Sequence, residues 1–177
     1  MHTTKESAIS LNLKKNKILL IESVFSKNIS LSVQLTDSPP YLIRKIEWEK
    51  NGGDFSEFEA IEPLVSLKQS LNLALKALPF DFPDDYLDFS SLSPKEITVL
   101  HALKSVPCGK TVSYQELAQI AGLTPSHARF IGNVMAKNPF LLLFPCHRVI
   151  QKNGSLGNYS GGGQEIKKIL LEIERRK

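Results

Sequence analysis

The sequence has few of the features that mark secreted, membrane-spanning or disulfide-stapled proteins. Its 177 residues include only two cysteines, Cys108 and Cys146, too few for a disulfide framework or a four-cysteine zinc site. The longest apolar run, 140–145, is far shorter than the roughly 18 residues that a membrane helix needs. The first residues, MHTTKESAIS, lack the apolar segment of a signal peptide. We therefore expect a reduced, cytoplasmic protein that does not act at a membrane.

Charge is divided unevenly along the chain. Residues 1–90 carry 10 Lys and Arg against 13 Asp and Glu, a net charge of −3, whereas residues 91–177 carry 12 against 5, a net charge of +7. The apolar share of 42% and the charged share of 23% are typical of a globular protein. A basic half joined to an acidic half favours a nucleic-acid-binding face, although a solvated lysine surface explains the charge equally well.

Residues 1–90 are predicted to form a small N-terminal α/β domain. Leucines recur at helical spacing within 57–78, which predicts a helix. Residues 79–92 contain prolines and acids without a period, so we interpret them as a linker and expect a second domain at 91–177. Three segments before the helix predict the strands of an antiparallel meander: 17–25, 29–36 and 41–49.

The C-terminal half is predicted to be mainly helical and to contain a helix-turn-helix. Two helical segments, 113–121 and 126–137, flank a turn with Gly122. Many helical hairpins share this pattern without binding DNA, so the pattern alone leaves both possibilities open. The second segment is rich in small residues and has one arginine, Arg129, which suits close approach to a shallow or narrow groove. Ser93 and Glu96 have the spacing of a capping box, which predicts another helix beginning there, and a further helix is predicted over 164–177.

The segment 141–148, LLLFPCHR, carries the strongest chemical signal. We interpret it as a buried apolar strand that leads into Cys146, His147 and Arg148. A lone cysteine is usually a small buried hydrophobe, but an adjacent imidazole and guanidinium favour the thiolate, and a thiolate beside a histidine is the minimum for nucleophilic catalysis. Neighbouring side chains in an extended segment point to opposite faces, so a water relay between them is expected. Cys108 has no histidine beside it and is interpreted as structural.

Four blocks in order resemble the O6-alkylguanine-DNA alkyltransferases, or methylated-DNA–protein-cysteine methyltransferases. The resemblance covers about 92–177, and the N-terminal half is similar only in length and element order. It implies an α/β fold with a small ribonuclease H-like antiparallel sheet and helix, followed by a mainly helical domain with a helix-turn-helix. The blocks are VPCGKTVSYQELA (106–118), ARFIGNVMAKNP (128–139), FPCHRVI (144–150) and GNYSGG (157–162).

The resemblance implies a DNA repair enzyme that works once. Such a methyltransferase flips O6-alkylguanine, and also O4-alkylthymine, out of duplex DNA and moves the alkyl group irreversibly to its own cysteine. By the same mapping Cys146 is the acceptor, His147 the base acting through a water, and Glu174 the carboxylate that orients His147. Tyr114 and Arg129 assist base flipping. The implied pocket and hinge residues are Met135, Asn138, Val149, Tyr159 and Ser160.

The resemblance also implies the partners. We expect duplex DNA containing O6-alkylguanine as the substrate and a monomeric protein without cofactor. No metal is expected, because the N-terminal half lacks the cysteine and histidine cluster by which some family members bind zinc. Phe130 departs from the family, which usually has alanine there. Two other functions remain open: a non-catalytic DNA-binding regulator, which would not need Cys146, and a cysteine hydrolase using Cys146 and His147.

Overall fold

The computed structural model describes residues 17–20, 30–37, 40–49 and 64–176. Three strands, β1 (Lys17–Leu20), β2 (Ser30–Leu35) and β3 (Ile43–Glu49), form an antiparallel sheet in chain order, so the predicted meander is confirmed. Residues 21–29 of the predicted strands lie outside the described residues. In β2 the side chains of Leu31 and Val33 are fully buried and form the inner face of the sheet.

The predicted first helix is present and ends before its apolar pattern does, while residues 57–63 of the predicted segment lie outside the described residues. It runs as α1 from Leu64–Leu75, and its buried face is made mainly of leucines three or four residues apart. Beyond it Ala77 has a φ of 52°, a left-handed value that no helix can continue. Within the segment interpreted as a linker, Asp84–Tyr86 form one turn of 3-10 helix and Leu87 pairs with Ile43 in a single parallel bridge. That segment therefore packs on the sheet.

The first two helices of the C-terminal half begin at strong caps. Helix α2 (Pro94–Lys104) starts at a reciprocal capping box between Ser93 and Glu96. Helix α3 (Tyr114–Ile120) has the same arrangement at its own start. After a turn and one 3-10 turn, α4 (Ala128–Lys137) packs against α3, and α5 (Gly163–Arg175) follows the glycine-rich loop. Helices are therefore present where the sequence predicted them.

The segment before Cys146 was predicted to be a strand, and this prediction is wrong. Residues 141–144 are buried, but they form turns, and Leu142 has a φ of 70°. The Phe144 N–H donates to the Phe140 carbonyl at 3.1 Å, which folds the segment back on itself. A short apolar run reports burial but does not distinguish a strand from a buried turn. Cys146–Arg148 continue as one turn of 3-10 helix rather than as extended chain.

A two-stranded parallel ribbon, missed by the sequence analysis, follows this turn. Strand β5 (Val149–Ile150) leaves the 3-10 turn and pairs with β4 (Val112–Ser113), which ends at the cap of α3. Two-residue strands have no detectable alternation, so only their long-range pairing defines them. The ribbon joins the Cys146 turn to the start of α3.

One hydrophobic core connects both halves of the described chain. It contains Leu31 and Leu67 from the N-terminal part together with Leu100 and Phe144 from the C-terminal part. The Ile46 N–H of β3 donates to the Pro139 carbonyl at 2.7 Å, which ties the sheet to the segment leading to Cys146. The predicted boundary between 90 and 91 stays a prediction. Among the described residues, no helix combines the length and apolar character that crossing a membrane requires.

Candidate active site

Cys146 is held in a buried turn. Only 3% of its surface is exposed, and its N–H donates to the Phe144 carbonyl at 2.7 Å. The side chain of Asn138, which ends α4, donates to the same Phe144 carbonyl at 2.9 Å and accepts the Phe140 N–H at 3.0 Å. The amide of Asn138 thus ties the end of α4 to the turn that carries the cysteine.

The resting form of Cys146 is the thiol. Burial raises its pKa above the usual value, while the polar side chain of Asn138, the positive charge of Lys167 and the nearby Tyr159 hydroxyl lower it. The neighbouring cation is therefore Lys167 and not Arg148, which the sequence analysis had assigned to this role. A thiol with a raised pKa needs a base before it can attack, because the thiolate is the nucleophile.

Glu174 is surrounded by donors. The His147 Nε2 lies 2.8 Å from its Oε1, and the Gly109 N–H donates to its Oε2 at 3.0 Å. The Arg148 guanidinium donates to the same carboxylate through Nε at 3.0 Å and Nη2 at 2.9 Å. Burial alone would raise the pKa of Glu174, but the hydrogen bonds from His147, Arg148 and Gly109 lower it to about 2.

The ionised carboxylate determines which nitrogen of His147 carries the proton. A carboxylate only accepts hydrogen bonds, so Nε2 must be protonated and donates to Glu174. Desolvation lowers the pKa of His147, against the opposing effect of Glu174, so the imidazole is neutral at pH 7. Its Nδ1 then carries a lone pair, is buried, and has no hydrogen-bond partner among the described residues. His147 is thus an oriented base with a free acceptor atom.

A cavity of about 350 Å³ opens in front of Cys146. Of the residues expected at the site, Tyr114, Met135, Tyr159 and Ser160 line it together with the cysteine. The other two residues expected in the pocket and hinge do not line it: Val149 is buried and its carbonyl accepts from Lys167, whereas Asn138 acts as the tether described above. A larger cavity of about 460 Å³ lies elsewhere, against Cys108 and Arg148, and does not include Cys146.

Arg129 lies apart from the cavity lining. It is exposed in the first turn of α4. Phe130 beside it is partly buried, and the Lys95 ammonium lies 4.9 Å from the centre of its ring. Phe130 therefore packs toward the start of α2 and leaves Arg129 as the side chain projecting from this turn.

The exposed Cys108 Sγ lies 3.8 Å from the Ala77 carbonyl.

Lys167 is the main residue that the sequence analysis missed. It is 1% exposed, and its Nζ donates to the carbonyls of Val149 and Leu156, each at 2.6 Å. Burial lowers its pKa to about 8, although the charge of a Cys146 thiolate would raise it. The sequence contained a signal for its burial. Residues 167 and 174 are two helical turns apart, so they share one face of α5, and that face is buried.

Gly109 was also missed. Its φ is +76°, and a Cβ placed on it would lie 3.0 Å from the Glu174 carbonyl oxygen. The position therefore favours glycine for its backbone angle and for its close approach to α5. Only a contact across 65 residues reveals this role, so no local pattern could have predicted it.

Known proteins resemble this chain in sequence. The sequence model described as the DNA-binding domain of 6-O-methylguanine DNA methyltransferase matches residues 94–176. A methylated-DNA–protein-cysteine methyltransferase of Methanothermobacter thermautotrophicus is 37% identical over 126 residues, which cover 71% of this chain and 68% of that protein. The chain belongs to the methylated-DNA–protein-cysteine methyltransferase family. The enzyme of that name from Cricetulus griseus is 57% identical over 72 residues, and the match spans about a third (34%) of its length.

Solved structures show the same fold. The crystal structure of Mycobacterium tuberculosis OGT in complex with DNA is 25% identical, with a TM-score of 0.60, and covers 83% of this chain and 87% of that one. The O6-methylguanine-DNA methyltransferase of Pyrococcus kodakaraensis is 23% identical, with a TM-score of 0.66, over 90% of this chain and 99% of that one. The second likeness concerns the fold alone. Together they support the predicted α/β class.

Proposed function

We propose that the protein repairs duplex DNA by moving the alkyl group of O6-alkylguanine onto Sγ of Cys146. The observation that carries this proposal is the buried cysteine at the wall of a 350 Å³ cavity, with a His147–Glu174 pair behind it. A volume of this order lies at the lower end of the range of small-ligand pockets and suits one flipped base. O4-alkylthymine, which presents its alkyl group on a similar ring edge, is proposed as a second substrate.

The proposed reaction is a single displacement. The Cys146 thiol gives its proton through a water to Nδ1 of His147, and the sulfur attacks the alkyl carbon. The carbon–O6 bond breaks, its electron pair stays on the guanine, and the guanine ring takes up a proton from the Tyr114 hydroxyl. The proton held by His147 then passes through solvent and restores the Tyr114 hydroxyl. The product is guanine and a thioether. A thioether offers no bond that water can readily hydrolyse, so each molecule reacts once.

Tyr114 is suited to protonate the leaving guanine, and Lys167 is suited to stabilise the attacking thiolate. Burial raises the pKa of Tyr114, and the charge on Cys146 raises it further, so the phenol is protonated and able to donate at neutral pH. The positive charge of Lys167 lowers the pKa of Cys146 and so stabilises the thiolate as it forms. One group therefore serves the leaving base and the other serves the nucleophile.

Base flipping is proposed because the reacting atom lies inside the DNA stack. An enzyme cannot reach that atom without extruding the base, which costs a few kcal/mol. We propose that α3 and α4 form a DNA-binding helix-turn-helix, that the exposed Arg129 fills the vacated space, and that Tyr114 crowds the flanking phosphate. Gly132 of α4 lines the cavity, and its lack of a side chain is proposed to let the DNA backbone approach closely there.

The remaining finer expectations are part of the same proposal. The sheet β1–β3 with α1 is proposed to be a ribonuclease H-like domain at 1–90, followed by the DNA-binding and alkyl-acceptor domain at 91–177. The protein is proposed to act as a monomer on duplex DNA, bound largely through phosphates by its basic half. Affinity should then fall as salt rises.

A titration of repair tests the proposal. A limiting amount of protein is mixed with excess duplex carrying O6-methylguanine, and the repaired strand is counted. We expect the yield to stop at one repaired lesion per protein molecule and Cys146→Ala to give none. The matched control, Cys108→Ala, should keep the full yield. Continued turnover, or loss of repair in the control variant alone, would refute the assignment.

A further inference from the structure

Asp84 lies where the N-terminal part of the chain meets the C-terminal helices. It begins the 3-10 turn Asp84–Tyr86, and a backbone bridge at the next residue joins this turn to β3. The Asp84 Oδ1 accepts a hydrogen bond from the Lys104 Nζ at 2.6 Å, and its Oδ2 lies 3.4 Å from the His101 Nδ1. One carboxylate of the N-terminal part therefore contacts two basic side chains near the end of α2.

Both basic side chains lie against the ring of Phe144. The Lys104 Nζ lies 4.6 Å from the ring centre, and the His101 ring meets it edge to face with the two centroids 5.9 Å apart. An ammonium over an aromatic face is attracted by the ring quadrupole. Phe89 and Phe140 also contact the ring, at centroid distances of 6.2 and 5.8 Å. The fully buried ring of Phe144 is thus enclosed by side chains from several segments.

The backbone of Phe144 holds the turn that carries the cysteine. Its carbonyl accepts hydrogen bonds from both the Cys146 N–H and the Asn138 side chain. The chain reaches this position through Leu142, whose φ of 70° is one that an L-residue adopts only where its surroundings hold it there. The contacts of the Phe144 ring therefore influence where the turn places the cysteine.

We propose that Asp84 is a positioning residue for Cys146. Its carboxylate holds the two basic side chains of α2 against the Phe144 ring, and the fixed ring keeps the Phe144 carbonyl in place for the Cys146 N–H. Asp84 does not line the cavity in front of the cysteine, so it acts on the reaction only through this series of contacts. The inference rests on the proposed function in that Cys146 is the alkyl acceptor.

The first test is single-turnover alkyl transfer from free O6-benzylguanine to the full chain. Asp84→Ala and Lys104→Met are compared with the matched control Asp85→Ala, which removes an exposed carboxylate from the same 3-10 turn. We expect the first two variants to react about 10-fold more slowly at saturating substrate, because a misplacement of about 1 Å can cost about 10²-fold. The control should react at the wild-type rate. Lys104→Arg keeps a cation over the ring and should react faster than Lys104→Met.

Two further quantities from the same traces separate positioning from folding. The half-saturating concentration should stay at the wild-type value, because Asp84 does not contact the cavity. The reaction amplitude should also stay unchanged, because all of the folded protein still reacts. A lower amplitude with a wild-type rate constant would show that Asp84 serves stability alone and would overturn the positioning role.

Amide hydrogen exchange at Cys146 gives a second test that needs no alkylguanine. Because the Cys146 N–H donates to the Phe144 carbonyl, we expect it to exchange about 3-fold faster or more in the first two variants than in the control. The Leu123 N–H, which donates to the Ala118 carbonyl after α3, should exchange at the same rate in all of them. Equal exchange at Cys146 in variants and control, or equal acceleration at both amides, would overturn the inference. Failure of the wild type to accept an alkyl group would refute the proposed function, while the exchange rates would still decide the inference.

Discussion

Replacing Glu174 with glutamine removes the charge on which three donors converge. The variant keeps the size of the side chain, but its amide can present only one acceptor oxygen and brings an N–H₂ group toward His147 and Arg148. Breaking one side of a buried ion pair costs about 3–5 kcal/mol. Arg148 retains the Val106 carbonyl at 2.6 Å, so we take the lower end, about 3 kcal/mol. For a chain of this length that corresponds to a fall of roughly 6–12 °C in the melting temperature.

The pH dependence of the difference in melting temperature between the wild type and Glu174→Gln gives a sharper test. The folded pKa of Glu174 is depressed to about 2 from a usual 4.5, so its contribution to stability is present above pH 4.5 and is lost as the pH falls toward 2. The difference in melting temperature between wild type and Glu174→Gln should therefore shrink over that interval. Because His147 also loses its fixed tautomer, alkyl transfer at pH 7 should slow about 10²- to 10⁴-fold.

Glu172→Gln is the matched control for both measurements. Glu172 lies on the same helix, is 46% exposed and has a 3.9 Å pair with Lys168, so its removal should change the melting temperature by less than about 2 °C. Thermal melts followed by circular dichroism between pH 2 and 7 give the comparison. The reasoning is refuted if the two variants melt alike, or if Glu174→Gln transfers alkyl groups at the wild-type rate.

Three further outcomes are expected. Lys167→Met should slow iodoacetamide alkylation of Cys146 at pH 7, with the gap narrowing above pH 8 as the wild-type lysine loses its charge; a gap constant with pH would contradict this. Arg129→Ala should slow repair of methylated duplex strongly while leaving transfer from free O6-benzylguanine unchanged, and equal losses on both would exclude a flipping role. Gly109→Ala should lower the melting temperature more than Gly154→Ala. Both glycines have a positive φ, but only at Gly109 would the added Cβ lie 3.0 Å from a carbonyl oxygen. Equal falls in melting temperature would show that this close approach does not affect stability.

Local pattern predicted much of the fold. The alternation in 30–35 and the capping box at Ser93 and Glu96 depend on neighbours a few residues away, and both are present. The strand predicted at 141–144 was wrong because a buried apolar run was interpreted as an extended one. The ribbon β4–β5 was not predicted because it is defined only by a pairing between residues 37 apart in sequence.

The site residues also divide into those that the local sequence predicts and those that depend on long-range contacts. Cys146 and His147 stand next to each other in the sequence, so the adjacency alone singled them out as candidates. It also predicted a thiolate, and this was wrong because burial raises the pKa of Cys146. Arg148 could not be assigned locally, because its guanidinium turns toward Glu174 of α5 rather than toward the adjacent thiol. Gly109 could not be predicted for the same reason, since it acts through a contact with a distant element. Lys167 could be predicted only as a residue on the same helix face as Glu174, because its bond to the Val149 carbonyl joins separate elements.

The most direct test of the central claim is the intact mass of the protein after incubation with duplex DNA carrying O6-methylguanine, followed by peptide mapping. The account predicts the mass of one added methyl group per chain, located on Cys146, with Cys108 unmodified. Cys146→Ala should bind the same duplex and gain no mass. A methyl group on Cys108, or an unchanged mass in wild-type protein that binds the methylated duplex, would contradict the account.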